Sequence, residues 1–161
     1  MASDSPTSLV VTPKQLLEHW QGHRRVTRRV IEAFPEDEFL RFSIGGMRPF
    51  SALAMEFIRL AVSTMHGILT GDWNWTPPAT EPGSRAEVLK LWDETTEEIN
   101  QLWPTLSPHS FQGLHKAFGQ WEGQGYALLL YVIDNEIHHR GQGYVYLRAL
   151  GIPPPPFYER G

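Results

Sequence analysis

The sequence contains no cysteine, which excludes disulfide bonds, thiolate metal sites and a cysteine nucleophile. A chain without cysteine is typical of a reducing compartment, so we expect this protein to be cytoplasmic. Its first residues lack the basic start and the apolar core of a signal peptide. No apolar run approaches the length needed to cross a membrane, so we expect a soluble protein with no membrane partner.

Basic residues are also scarce and scattered. Lysine and arginine total 14 against 18 acidic residues, which gives a formal charge of −4. Binding to nucleic acid would need a concentrated basic face, so no nucleic-acid partner is expected. We assign the one local concentration to a solvated helix face: Arg24, Arg25, Arg28 and Arg29. The common nucleophile-elbow, P-loop and dinucleotide-binding motifs are missing as well.

Sustained two-residue alternation between turn signals is missing too, so a sheet is not expected. Instead, apolar residues recur at helical spacing in four long segments, at about 13–34, 49–70, 84–103 and 121–150. Capping boxes at Thr12 and Ser84 mark the starts of the first and third segments, and Gly151 marks the end of the fourth. Four amphipathic helices bury their apolar stripes most simply in a four-helix bundle, so the predicted fold class is all-α.

The chain is long enough for one domain with a sizeable core. We expect residues 1–11 to be disordered, residues 12–152 to form the bundle and residues 153–161 to form a proline-rich tail. Four consecutive prolines cannot continue a helix, so the tail should be extended. Its aromatic pair, Phe157 and Tyr158, should pack back on the bundle or on a partner chain. A role as an SH3-type ligand is the weaker alternative.

Polar residues interrupt the fourth predicted helix where apolar ones are expected. A helix advances about 100° per residue, so one stripe roughly 80° wide can be traced along it. Its members are Leu128, Val132, Asn135, His139, Gln142, Tyr146 and Leu150. The stripe is apolar at both ends and polar in the middle. Because a buried amide or imidazole without a partner costs several kcal/mol, the polar centre predicts a site.

Two members of this stripe, Asn135 and His139, have i, i+4 spacing and share one helix face close enough to hold one ion. Glu56 stands in a part of the second predicted helix with no other charge, and a buried carboxylate needs a partner. A divalent metal, such as the zinc or nickel that imidazole suits, would be one partner. The imidazole of His139 would be another. The alternative is a Glu–His–Asn hydrogen-bond cluster that fixes helix register without metal.

Three further histidines have weaker patterns. His138 lies about 100° round the helix from His139 and should flank the site or reach an interface. His23 lies on the core face of the first predicted helix, where it could line the cavity or be a satisfied core residue. His66 is ten residues from Glu56, hence about 15 Å along the axis, and cannot share a metal with it.

The fourth predicted helix also carries Arg140, one step round from His139. There it could pair with Glu136 at i, i+4 or with a carboxylate on another helix. Gly141 and Gly143 each weaken a helix by about 1 kcal/mol relative to Ala. Close approach of another helix would explain both glycines.

Three stretches of the chain carry a family resemblance. The most specific is His138-His139-Arg140-Gly141-Gln142, followed by Leu147-Arg148-Ala149-Leu150-Gly151; the others are Leu69-Thr70-Gly71-Asp72-Trp73 and the Pro-Pro-Phe-aromatic tail. Together they resemble the DinB-like (DinB/YfiT) superfamily from about Leu16 to Tyr158. The resemblance implies a four-helix bundle in up-down-down-up order, commonly dimeric. It also implies a divalent metal, nickel or zinc, held by one histidine from the second helix and two from the fourth.

The resemblance places the fourth-helix ligand pair on Asn135 and His139 and the second-helix ligand on Glu56. Only one of the three histidines remains. Some relatives, the thiol-dependent maleylpyruvate isomerases, have a glutamate in the fourth-helix pair, whereas asparagine is a larger departure. Known activities in the family include S-transferases and isomerases that depend on low-molecular-weight thiols.

Two hypotheses follow. The first is a divalent-metal-dependent enzyme of the DinB-like type, a thiol-dependent transferase or isomerase or a hydrolase that acts on a small molecule or thiol. Its metal would lie on Glu56, Asn135 and His139, with His138 and His23 as proton-transfer groups. The second is a metal-free dimeric binding or stress-response protein that keeps the polar cleft. A homodimer is expected in both, because the family pairs through helices and the aromatic surface exceeds what a monomer needs.

Overall fold

The computed structural model describes residues 10–74 and 81–161, so most of the predicted N-terminal disorder lies outside the described residues. The described chain is mainly helical, with one short hairpin. In chain order its elements are α1 (Pro13–Ala33), α2 (Glu36–Arg41), α3 (Phe50–Thr70), α4 (Arg85–Leu102), α5 (Pro108–Gln112), β1 (Leu114–Ala117), β2 (Trp121–Gln124) and α6 (Gly125–Ala149). A 3-10 turn at Trp103–Thr105 extends α4.

The predicted helix-end signals are present. At the start of α1, Thr12 Oγ1 accepts from the Gln15 amide at 3.2 Å, and Gln15 Oε1 accepts from the Thr12 amide at 2.9 Å. The Ser84 hydroxyl accepts from the Glu87 amide at the start of α4, but the Glu87 side chain accepts from the Gly83 amide, so only half of the capping box predicted at Ser84 forms. Beyond α6, Gly151 has φ 74°, a left-handed conformation that favours glycine. Local chemistry therefore fixes the ends of three long helices.

Two apolar clusters show how the four long helices run. One joins the C-terminal ends of α1 and α6 to the N-terminal ends of α3 and α4; it includes Ile31, Phe34, Phe50, Trp92 and Tyr146. The other joins the opposite ends and includes Trp20, Met65, Ile99, Leu129 and Ile133. Hence α1 and α6 run in one direction and α3 and α4 in the other. This is the expected up-down-down-up order.

The fourth long helix begins at Gly125 rather than near Trp121, and the residues before it form the hairpin that the sequence did not predict. Strand β1 pairs antiparallel with β2, with Ala117 opposite Trp121. The turn between them needs left-handed backbone at Phe118 (φ 52°) and Gly119 (φ 69°). Each strand has only four residues, too few to show an alternating pattern.

Helix α3 is the most apolar of the long helices. By length and composition alone it could cross a membrane, unlike any other helix in the described part of the chain. This corrects the expectation that no segment approaches that length. However, 67% of its most apolar window is buried inside the bundle, as in the core helix of a globular domain.

The proline-rich tail packs back on the bundle through its backbone. The Tyr144 hydroxyl donates to the Pro155 carbonyl at 2.7 Å, and Arg25 Nε donates to the Arg160 carbonyl at 2.7 Å. The rings of Phe157 and Tyr158 contact each other edge to face and remain 57% and 70% exposed. The tail is thus held by its carbonyl groups, while its aromatic pair faces solvent.

Candidate functional site

The three predicted metal-site residues meet between α3 and α6. Asn135 Nδ2 donates to Glu56 Oε1 at 3.1 Å, and His139 Nε2 lies 3.5 Å from the same oxygen. The side chain of Glu56 is 31% exposed and that of His139 is 17% exposed. The site is therefore half-buried at the edge of the bundle.

A fourth residue, Arg48, binds the same carboxylate. Its Nη1 donates to Glu56 Oε2, the oxygen that Asn135 does not use. Partial burial raises the pKa of Glu56, but the hydrogen bonds from Arg48 and Asn135 outweigh burial and hold the pKa below its usual range. We call these four residues the open cluster: Arg48, Glu56, Asn135 and His139.

Sequence reasoning missed Arg48 because it lies in the loop before α3, where helical spacing connects it to nothing. The loop is fixed by the hydroxyl of Tyr146, which donates to the Arg48 carbonyl at 2.9 Å. That contact brings the guanidinium over the first turns of α3. The only signal in the sequence was an arginine beside the helix-starting Pro49, which is too weak to assign a role.

The imidazole of His139 has a defined orientation. Its Nδ1 lies 3.1 Å from Gln142 Oε1, an acceptor, which suits a ring that donates from Nδ1, and Nε2 faces Glu56. The ring stacks on Phe57, with centroids 6.2 Å apart. His138 touches the His139 ring edge to face at 4.8 Å and is exposed, so it flanks the site as expected.

His23 does not join the open cluster; it lies in a second polar cluster between α1 and α6. Arg140 donates to the His23 carbonyl and to His23 Nδ1, both at 3.0 Å. Thr27 donates to Glu136 Oε1 at 2.5 Å and accepts from Arg140 Nη1 at 3.2 Å. None of these residues is more than 4% exposed. We call them the sealed cluster: His23, Thr27, Glu136 and Arg140.

Burial dominates the electrostatics of the sealed cluster. It raises the pKa of Glu136 and lowers that of Arg140. It also lowers the pKa of Arg24, whose expected place on a solvated helix face is wrong because the residue is only 1% exposed. Burial, reinforced by the charge of Arg140, lowers the pKa of His23 to about 3. His23 is therefore neutral near pH 7 and accepts a hydrogen bond, so its position does not favour the predicted role in proton transfer.

The sealed cluster shows that the core-facing stripe of α6 was predicted only in part: Val132 and Tyr146 are buried as expected, at 2% and 0% exposed. The most buried stripe lies one residue further on and includes Leu129, Ile133, Glu136, Arg140, Gly143 and Leu147. Its spacing is as regular as that of the predicted stripe, so the signal was in the sequence. Gly143 lies against the Phe50 ring, where a β-carbon would clash. Gly141 is exposed with no atom nearby, so close packing explains only one of the two glycines.

The comparisons with known proteins agree with the fold. The sequence model of the DinB family matches residues 6–161. The chain belongs to the DinB family. It is 26% identical over 154 residues to the uncharacterized protein YjoA of Bacillus subtilis (strain 168), a match that covers 91% of this chain and 96% of that protein.

Two crystal structures extend the comparison to three dimensions. The DinB-like protein YjoA from Bacillus subtilis has a TM-score of 0.76 at 21% identity, covering 91% of this chain and 99% of the other. A DinB-like protein from Bacillus cereus ATCC 10987 has a TM-score of 0.74 at 14% identity, covering 90% and 97%. At these identities the likeness shows the all-α DinB-like fold, and nothing about activity.

The three-histidine metal site that the family resemblance implies does not fit the residues present here. One imidazole remains, beside an amide and a carboxylate that already binds a guanidinium. The amide must turn its NH₂ toward that carboxylate, because two acceptor oxygens would repel each other. The positive charge of Arg48 also opposes a second cation. Within residues 10–74 and 81–161, no group of three or more His, Cys, Asp or Glu side chains could hold a metal ion.

A cleft of about 420 Å³ opens beside the open cluster along one face of α3. Its size is in the range of small-molecule sites. Its lining residues are Arg48, Ala52, Met55, Glu56, Arg59, Leu60, Ser63, Glu81 and Phe118. Arg59 Nη2 pairs with Glu81 Oε1 at 2.6 Å. We call this space the α3 cleft; it combines two Arg–Glu pairs with apolar walls.

Proposed function

We propose that this DinB-family protein binds a small molecule in the α3 cleft without a metal ion. The observation that carries the proposal is the hydrogen bond from Arg48 to Glu56, at the position where the family resemblance expects a metal ligand. A fixed guanidinium brings to the carboxylate the positive charge that a divalent ion would otherwise supply. Arg48 and Glu56, the two residues of the open cluster that line the cleft, then offer hydrogen-bonding groups to a ligand.

One observation favours a second candidate, the metal-dependent transferase, isomerase or hydrolase. His139 Nε2 and Glu56 Oε1 are 3.5 Å apart, about the separation of two ligands on one tetrahedral ion. The bond from His139 Nδ1 to Gln142 also leaves Nε2 directed at that space, as a metal-binding histidine requires. In this candidate zinc or nickel would displace Arg48 from Glu56.

Metal titration separates the two candidates. Protein purified without a metal-affinity tag should contain well under one equivalent of zinc or nickel by elemental analysis, even after incubation with either metal. The double variant Glu56→His/Asn135→His rebuilds three histidines with His139 and should bind at least 100-fold more tightly by calorimetry. Arg48→Met frees the Glu56 carboxylate, so its metal affinity should lie between those of the wild type and the double variant.

Stoichiometric metal binding that depends on His139 would contradict the metal-free proposal. If the wild type holds about one metal per chain, loses it in His139→Ala and keeps it in His66→Ala, the metal-free proposal is wrong. His66 is a suitable control because it bonds Glu98 at 2.8 Å, towards the other end of α3. The metal-dependent enzyme would then be the function to pursue.

Assembly as a homodimer and a cytoplasmic location complete the proposal. Support for the dimer comes from large apolar side chains left exposed, including Leu114, Trp121, Tyr131 and Phe157, all at least 57% exposed. Light scattering at tens of micromolar should report twice the mass of the chain. A monomer at that concentration would remove the dimer from the proposal.

A further inference from the structure

We infer that the ligand of the α3 cleft is a small zwitterion that carries a carboxylate, an ammonium group and an apolar side chain. The inference rests on the proposed function, because it takes this cleft as the binding site. Its basis is the charge pattern of the cleft, in which two cations and two anions are paired: Arg48 with Glu56, and Arg59 with Glu81.

The two pairs lie close enough for one small molecule to contact both. Glu56 and Arg59 are three residues apart on α3, so their α-carbons are separated by about 4.5 Å along the helix axis. Both side chains line the same cleft. A ligand seated there meets an anion and a cation within one turn of helix.

The two pairs differ in how readily a ligand can open them. The side chain of Glu81 is 77% exposed, so it can return to water at little cost. Arg59 then offers its planar guanidinium to a ligand carboxylate in a bidentate pair. Glu56 is only 31% exposed and is held by Arg48 and Asn135, so it stays in place as an acceptor for an ammonium group.

Charge balance selects a ligand that carries both signs. A simple anion would displace Glu81 and add a negative charge beside Glu56, and a simple cation would add a positive charge beside the two arginines. A zwitterion pairs its carboxylate with Arg59 and its ammonium group with Glu56, so the net charge of the cleft is unchanged and only the exposed Glu81 exchanges its partner for water. Apart from Ser63 the remaining wall is apolar, which suits an apolar side chain; it is formed by Ala52, Met55, Leu60 and Phe118.

Three probes with one skeleton test this inference by calorimetry. L-Phenylalanine carries both charged groups, 3-phenylpropionate lacks the ammonium group and phenethylamine lacks the carboxylate. Phenylalanine should bind at least 10-fold more tightly than either of the others. Arg59→Gln should weaken phenylalanine binding at least 10-fold, whereas Arg41→Gln, on the exposed face of α2, should leave it unchanged. Glu81→Gln should tighten binding, because it removes the competing carboxylate.

Equal binding of phenylpropionate and phenylalanine would make the cleft an anion site, and equal binding of phenethylamine would make it a cation site. Either result overturns the inference, as does no binding of any probe at millimolar concentration. Repeating the titrations with a metal chelator present tests the proposed function separately from the ligand class. Phenylalanine binding that disappears with chelator would defeat the metal-free proposal, whereas the order of the three probes would still decide the ligand class.

Discussion

Helix α6 carries two polar clusters on neighbouring stripes, built from the same kinds of residue. The open cluster faces α3 and contains an arginine, a glutamate and a histidine. The sealed cluster faces α1 and contains the same three types. The two differ in exposure: the sealed residues are at most 4% exposed, whereas the Arg48 and Glu56 side chains are 49% and 31% exposed.

The difference shows in the two glutamates. Burial raises the pKa of Glu136 despite the nearby charges of Arg24 and Arg140. The hydrogen bonds from Arg48 and Asn135 lower the pKa of Glu56 despite its partial burial. A side chain that cannot reach solvent cannot exchange its partner for a ligand. The sealed cluster is therefore structural, and the open cluster can bind.

The largest effect should come from breaking the sealed cluster. Arg140→Met keeps most of the side-chain volume but removes a buried cation that bonds His23 and Thr27. We expect a loss of about 3–5 kcal/mol in the free energy of unfolding, because Glu136 is left buried beside unpaired polar groups. Urea unfolding at pH 7 measures it.

Two controls accompany this variant. Arg148→Ala, exposed on the same helix, should change stability by less than about 0.5 kcal/mol. Adding Glu136→Gln to Arg140→Met should recover part of the loss, since it removes the carboxyl group that the nearby charge of Arg140 stabilises. A loss below about 1 kcal/mol for Arg140→Met would show that the cluster is not structural.

The two glycines of α6 should respond in opposite directions. In Gly143→Ala the new β-carbon meets the Phe50 ring, so we expect a loss of about 1–3 kcal/mol. In Gly141→Ala nothing lies within contact distance, so we expect a gain of up to about 1 kcal/mol from helix propensity. Thermal unfolding of the pair tests this. Equal changes in stability for the two variants would mean that Gly141 and Gly143 are equally closely packed.

Much of the fold was predictable from the sequence because its signals are local. The capping box at Thr12, the helix-ending Gly151 and the 3.6-residue periodicity each act within a few residues. The hairpin was missed because its strands are short and are held by contacts with α3 and α6. A long helix repeats its apolar pattern over several turns and can be recognised from sequence, whereas the formation of a four-residue strand depends on its tertiary contacts.

The candidate site was predictable in part. Glu56, Asn135 and His139 meet as expected, because a carboxylate and an imidazole facing one interior need partners. Arg48 was not predictable, since its loop is positioned by a tertiary contact to Tyr146. The metal expected from the family resemblance remains a prediction, one that the donor set present here disfavours.

Acid should destabilise the protein through His23. Its pKa is lowered to about 3, so the folded state favours the neutral ring. The stabilising contribution is therefore complete above the unfolded pKa of about 6.5 and is lost as the pH falls below it. Between pH 7 and pH 5 we expect the wild type to lose about 1–2 kcal/mol relative to His23→Asn, whose amide oxygen can still accept from Arg140. Parallel stability–pH curves for the two proteins would contradict this.

The smallest effect on stability should come from the open cluster, and it tests the comparison most directly. Glu56→Gln removes one charge from a half-exposed site and keeps the side-chain shape, so we expect a change of less than about 1 kcal/mol at pH 7. Because the pKa of Glu56 is lowered, its contribution is present above the usual glutamate pKa and is lost as the pH falls through the lowered value. The two proteins should therefore converge in stability in acid. Phenylalanine affinity should nevertheless fall at least 10-fold, since the negative charge that pairs with the ammonium group is gone.

Glu122→Gln on the exposed hairpin strand is the matched control and should change neither stability nor affinity. If Glu56→Gln cost as much stability as Arg140→Met, the open cluster would be a second structural network that fixes helix register. A small cost in stability with a large cost in affinity is what a binding site produces. It would separate the two stripes of α6 by role as well as by burial.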